Sequence, residues 1–330
     1  EAVTATMSGN HQTGMEFESP TGGTDTNAQR NDNNFTVSLS ETTDGGMTIS
    51  SSFKLMDENG SAGDLDAGFT LAFTDGSKLD VINAGNASGS HAISVPSSAG
   101  AEGIAQTSLN HAQTGLDFMA TSSVLGVEYH TASDFLADGL KMSFSASTDN
   151  GAAAGATYRV DSHYAIGATY VTDLGDTAVT LGGGFMAADG SNGTTTNDKG
   201  DEVAVALTAA TGNLTIGVGF ASGEYIKSAT AASQTAEVDG AEVITAGAKY
   251  VSGDMTFAVG MVDGEGSDGS IGSNGSNTDT YESLSGSVDY VVASGVTATI
   301  GYSDESAQDE NASLSANSGN SWYIGANVSF

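Results

Sequence analysis

The chain has 330 residues, with 41 acidic against 8 basic side chains and a formal charge of −33, which rules out a surface that neutralises nucleic-acid phosphates with Lys and Arg. Apolar residues reach only 38%, with 45 Gly and 2 Pro, short of the ~45–50% of an ordinary globular domain, so a conventional core is poorly supplied. The absence of cysteine removes disulfide frameworks, thiolate metal sites and cysteine nucleophiles.

The stretch EAVTATMSGN at the start carries no charged-then-apolar leader; if the protein is exported, this is expected to be its mature form. No segment approaches the ~20 consecutive apolar residues of a membrane-spanning helix. Low hydrophobicity with high charge raises disorder as an alternative. The 12 Phe and 10 Tyr, distributed in regular alternating blocks, oppose it.

In chain order, VSLSETTDGGMTISSSFKL (37–55) reads as two strands around a tight turn, and GFTLAF follows with Phe69, Leu71 and Phe73 on one face. After the longest connector (85–122), LKMSFSA alternates Leu140, Met142, Phe144 and Ala146 with small polar residues. LTIGVGF, MTFAVGM and VTATIGY repeat the period of two. Short connectors with hairpin chemistry, such as TDGS, TGN, SGD and ASG, alternate with loops of roughly 10 to 40 residues rich in Gly, Ser, Asn and Asp.

Sixteen strands are predicted, beginning near residues 2, 34, 47, 66, 78, 123, 139, 163, 177, 202, 213, 241, 254, 281, 295 and 321. GATYRV (155–160) is taken as a strand extension or loop. An odd count would put the termini on opposite sides of the membrane.

Opposite each apolar face stand Thr, Ser, Gly, Asn, Asp and Lys instead of a second apolar layer. A sandwich would bury apolar faces against each other. A sheet closed on itself removes every edge and satisfies the backbone as hydrocarbon demands. The fold class is therefore all-β: one transmembrane antiparallel barrel over residues 1–330, with short periplasmic turns and long outer loops. Aromatics at strand ends, among them Tyr129, Tyr170, Phe220, Tyr250, Tyr290 and Tyr302, would form two interfacial girdles. In the terminal WYIGANVSF, Trp322, Ile324, Ala326, Val328 and Phe330 are assigned outward and Tyr323, Gly325, Asn327 and Ser329 inward. That strand would close the barrel.

With the terminal WYIGANVSF, the 37–55 hairpin and the sixteen-strand rhythm on the page, the sequence resembles the general bacterial porins, particularly those of alphaproteobacteria. The resemblance implies a homotrimer of water-filled pores in the outer membrane, in contact with lipid and lipopolysaccharide, with the third outer loop folded inward as a constriction. Residues 85–122 correspond to that loop. The acidic PEFGG motif of the enteric porins is missing. The arginine cluster that the family places opposite has little to draw on, because only Arg30 and Arg159 occur.

Inward parity assigns Lys54, Lys141 and Lys249 to the lumen, with Lys78 inward near a turn. Arg159 joins these candidates, and Glu102, Asp117, His91 and His111 are the loop-side ones. Charge at a narrow place sets ion preference, and with basic groups so scarce a cation-preferring passive diffusion channel for small hydrophilic solutes is expected.

The histidines are spaced too irregularly for a metal motif, and no catalytic constellation stands out from chance, so no enzyme is expected. Asp263, Glu265 and Asp268 in DGEGSDG offer oxygen ligands for a structural Ca²⁺, with a solvated loop as the preferred reading. The rival function is a secreted calcium-dependent adhesive or surface-layer β-protein. It would need an apolar interior between two sheets, where the channel needs an apolar exterior.

Overall fold

The computed structural model describes residues 3–57, 61–62, 68–81, 86–97, 126–147, 159–191, 196–225, 238–268, 277–308 and 317–330. The strands are β1 (Thr4–Pro20), β2 (Thr26–Thr42), β3 (Thr48–Asp57), β4 (Ser61–Ala62), β5 (Phe69–Ala72), β6 (Lys78–Val81), β7 (Gly126–His130), β8 (Leu140–Ser147) and β9 (Arg159–Leu174). They continue as β10 (Thr177–Ser191), β11 (Thr196–Thr211), β12 (Leu214–Tyr225), β13 (Val238–Ser252), β14 (Met255–Asp268), β15 (Asn277–Ala293), β16 (Val296–Gln308) and β17 (Asn317–Ser329). One helical turn, α1 (Ala87–Ser90), lies between β6 and β7.

Apart from the two-residue β4, each strand pairs antiparallel with the strands before and after it, β5 pairing back to β3, and β17 returns to β1, with Asn10 opposite Ser329 and Pro20 opposite Gly319. The sheet is therefore closed. β4 and β5 both pair with β3, at Met56–Ala62 and Ser50–Thr70. They share one wall position, so the seventeen segments make the sixteen-stranded wall that the period of two predicts. Arg159 and Val160 belong to β9, where the pairing with β10 shifts register between Asp189 and Gly190. Residues 155–158 of the GATYRV stretch lie outside the described residues.

Register fixes which way each side chain faces, because directly opposed residues share a face and a slip of one would turn the whole set over. Leu214, Ile216, Val218 and Phe220 stand outward beside Ile244, and Phe257, Val259 and Met261 continue the surface on β14, all of them exposed. Outward Tyr302 and Trp322 pack in a tilted pair, ring centroids 4.7 Å apart and planes at 56°. Inward positions carry Ser143, Ser145, Ser147, Ser283, Ser287 and Ser303, all buried. Among the described residues, no helix is long and apolar enough to cross a membrane. The strands do the crossing.

The tight turns share one end of the barrel. They close because glycine enters the left-handed region at little cost, as at Gly212 (φ 57°) and Gly253 (φ 60°). At the β5–β6 turn, Ser77 donates its hydroxyl and backbone N–H to Asp75 Oδ1 at 2.6 and 2.9 Å, holding that carboxyl below its ordinary range. The long connector between β6 and β7 carries the helical turn α1 near its start. Asn86 caps this turn by accepting a 2.8 Å hydrogen bond from Gly89 N, the usual service of Asn to an otherwise unpaired helix N–H.

Candidate functional site in the barrel lumen

Residues 86–97 run inside the barrel across its tall wall. Ala87 N donates to Ser145 Oγ on β8 at 2.9 Å. From there the segment crosses inward-facing glycines in order. A Cβ on Gly167 would strike the Ala87 carbonyl, one on Gly184 would lie 2.6 Å from Ser88 Cα, and one on Gly182 2.6 Å from the His91 carbonyl oxygen. Further round, a Cβ on Gly217 would come within 2.8 Å of Pro96, one on Gly247 would strike the Pro96 carbonyl, and one on Gly260 would meet Ser97 Cα at 2.8 Å. Glycine at these strand positions forfeits side-chain packing and in return lets a second backbone approach the wall. A cavity of about 470 Å³ opens alongside, lined by Ile93, Pro96, Ala206, Thr245 and Val262 among others.

His91 fastens the segment. It is 6% exposed, with Nδ1 2.7 Å from Thr169 Oγ1 on β9 and Nε2 2.8 Å from Ser143 Oγ on β8. Of the other loop-side candidates, Glu102, Asp117 and His111 lie outside the described residues. Lys54, Lys141 and Lys249 are exposed on inward positions of β3, β8 and β13. Lys78 reaches Asp80 Oδ2 at 3.2 Å. Arg159 lies in β9, and its side chain falls outside the described residues.

Most of the lumen carboxylates went unnamed in the sequence reading. On β1 and β2, Glu16, Glu18 and Asp32 face inward and are buried. Arg30 Nη2 lies 2.5 Å from Glu16 Oε2 and 3.9 Å from Glu18 Oε1. Asn34 donates to Asp32 at 3.0 Å. Across the closing seam, Glu305 on β16 is buried and accepts from Ser303 Oγ at 2.7 Å. On β6 and β7, Asp80 stands opposite Glu128, with His130 Nε2 2.8 Å from Asp80 Oδ2. Strand parity was the signal that could have found them, since Glu16 and Glu18 alternate with Met15 and Phe17.

Tyr323, the expected inward aromatic, is buried against Gly14 and Gly325 and donates to Thr13 O at 3.2 Å. Trp322, Ile324 and Phe330 are exposed on the outer face, and Val328 shares their parity. Asp263 and Glu265 stand outward and exposed near the outer end of β14. The Asp268 side chain lies outside the described residues.

The fold matches solved outer-membrane channels at low sequence identity. OmpT of Vibrio cholerae, an outer membrane protein in its trimer form, is 15% identical over 100% of both chains, with a TM-score of 0.61. The anion-selective porin of Comamonas acidovorans is 12% identical over 100% of both, with a TM-score of 0.64. A variant of the Rh. blastica porin is 16% identical over 99% of this chain and 100% of its own, with a TM-score of 0.58. Among curated protein sequences none matches. A sequence-family model described as Gram-negative porin matches residues 2–310. A closed wall, a polar lumen and that match together settle membership: the chain belongs to the Gram-negative porins, non-enzymatic channels of the bacterial outer membrane.

Proposed function

We propose that this porin is a passive diffusion channel for small hydrophilic solutes with a preference for cations. The carrying observation is the charge of the inner wall. Glu16, Glu18, Asp32, Asp80, Glu128 and Glu305 face the lumen, answered among the described residues by Arg30, Lys54, Lys78, Lys141 and Lys249. Arg30 is already drawn into the Glu16 pair, and Lys78 into Asp80. Rings of carboxylates favour cation entry, and the chain's formal charge of −33 acts in the same direction at longer range. Residues 85–122 form the constriction in this reading. Its support is the course of residues 86–97 over the glycine-lined wall.

A homotrimer in lipid and lipopolysaccharide completes the proposal. Between the levels of Phe330 and Trp322, the outward residues of β1 and β2 include His11, Thr13, Asn31 and Asn33, with His11 hydrogen-bonded to Asn33. Hydrocarbon offers such groups no partners, whereas a second copy does, and the OmpT relative is described in a trimer form. Glu242, Asp263, Glu265, Glu282 and Asp304 stand outward and exposed near the outer ends of β13 to β16. There divalent ions would bridge them to anionic lipid heads.

Reversal potential in a KCl gradient across a planar bilayer tests the selectivity. A potential of the sign set by K⁺ permeation is expected. The sign set by Cl⁻ would refute the reading.

A further inference from the structure

On the lumen wall at the root of the inward segment, we propose a binding site for a first-row divalent cation of the zinc type, formed by Asp80, Glu128 and His130. Asp80 and Glu128 are direct cross-strand partners on β6 and β7, an arrangement that repels unless a cation stands between them. Glu128 is 1% exposed, and its Oε1 accepts no hydrogen bond among the described residues, although it lies 3.6 Å from His130 Nε2. A buried carboxylate oxygen without a donor is costly, and a metal ion would supply what it lacks.

The geometry fits. Asp80 Oδ2, Glu128 Oε1 and His130 Nε2 lie within 4.8 Å of one another. Tetrahedral zinc with bonds of about 2.0–2.2 Å would set its ligand atoms about 3.3 Å apart. The two distances from Nε2, 2.8 Å to Asp80 and 3.6 Å to Glu128, bracket that separation.

Two of the three ligands are also held from behind. Thr70 donates to Asp80 Oδ1, leaving Oδ2 turned toward the imidazole. His130 Nδ1 is 2.7 Å from Ser143 Oγ, which in turn lies 2.8 Å from His91 Nε2. Without a metal the 2.8 Å contact has Nε2 donating to Asp80 Oδ2. A bound cation would replace that proton, with the remaining ring proton on Nδ1 donated to Ser143 Oγ, an outer hydroxyl of the kind that fixes the tautomer a metal needs. One imidazole with two carboxylates suits zinc better than Ca²⁺ or Mg²⁺, which favour oxygen alone. Lys78 is the resident competitor. Its Nζ reaches Asp80 Oδ2 at 3.2 Å, but its side chain is 45% exposed and has room to withdraw into the lumen.

β6 and β7 are the strands joined by the connector that holds the inward segment. The ion would therefore clamp the root of that connector and cancel two lumen carboxylates. The consequence for selectivity rests on the channel reading. Binding itself does not.

The test is titration of the full chain, folded in detergent, with ZnCl₂ alone by calorimetry and with CoCl₂ by visible absorption. One saturable Zn²⁺ per chain is expected, unaffected by equimolar CaCl₂ and weakened at least about tenfold by His130→Ala or Glu128→Gln. Lys78→Met should tighten it, a gain that a merely structural lysine would not give, and His163→Ala should leave it unchanged. Heat-dependent gel mobility confirms that each variant is folded. Binding that survives both ligand substitutions in folded protein would overturn the site, as would displacement of Zn²⁺ by equimolar Ca²⁺. If the variants do not fold, the unmodified protein still decides, since absence of a nitrogen-ligated Co²⁺ band at saturation overturns the site. In planar bilayers, Zn²⁺ should move the reversal potential toward the anion side. Binding without that movement would count against the channel's selectivity, while the site would stand.

Discussion

Two arcs of the same cylinder are built on opposite terms. From β9 to β14 the outer face is apolar, with Ile166, Leu181, Val205, Val218 and Val259 exposed, and the inner face is reduced to Gly, Ala and Thr where residues 87–97 cross it. On β1 and β2 the outer face carries His11, Thr13, Asn31 and Asn33, while the inner face carries Glu16, Glu18, Arg30 and Asp32. Each arc satisfies the same backbone ladder, so the ladder does not decide what its faces meet. The first arc suits lipid outside and a second layer of chain inside. The second suits a neighbouring protein outside and the ionic lumen inside.

Placing a charge where the first arc meets lipid should have the largest effect. Val218→Arg at mid-height of β12 is expected to destabilise the folded barrel by about 2–4 kcal/mol, read from urea unfolding in lipid vesicles. A cost near zero would mean that this face is not in hydrocarbon.

On the inner side of the same arc, Gly247→Val should collide with the Pro96 carbonyl. Overpacking of this kind costs about 1–3 kcal/mol. Because the segment has nowhere to retreat but the lumen or away from the wall, single-channel conductance should change with it. Unchanged conductance would place the segment outside the conduction path.

The outer side of the second arc should respond the other way. Asn31→Leu with Asn33→Leu makes the face more apolar and removes polar groups from the proposed subunit contact, at about 1 kcal/mol for each hydrogen bond lost. Trimers should therefore dissociate at lower temperature on semi-native gels while the monomeric barrel keeps its heat-shifted mobility. Stronger trimers would argue that these residues face lipid.

Smallest of all should be Glu16→Gln. It removes one lumen charge and relaxes the hold on Arg30, moving the reversal potential modestly toward the anion side. Movement the other way would contradict the assigned inner wall.

The strands were legible because a two-residue period survives in stretches such as LTIGVGF and MTFAVGM whatever the loops do. The terminal strand was legible in the same way, and Trp322 and Ile324 stand where alternation puts them. Gly217 and Gly219 were visible only as the small face of a strand. That they seat Pro96 and Val95 depends on a crossing that no local pattern encodes. Asp80, Glu128 and His130 were illegible for a related reason. They come together only through the β6–β7 register, across a connector of some forty residues whose length says nothing about what faces what. The lysines carried their inward parity plainly; the lumen acids on β1 and β2 carried it only locally, as Glu16 and Glu18 do against Met15 and Phe17, and Asp32 precedes the predicted strand start near residue 34, where β2 in fact begins at Thr26. The outward residues there include His11 and Asn33, which blur the greasy-polar contrast.

The contrast between the arcs can be read with a single indole. Trp322 is the sole tryptophan, so in a Trp322→Phe background either Val218→Trp or Thr13→Trp reports one arc alone in vesicles of brominated lipid. Strong quenching at position 218 and weak quenching at position 13 of the intact trimer is the expected result. Equal quenching at both would contradict the division of the barrel's outer surface between lipid and protein.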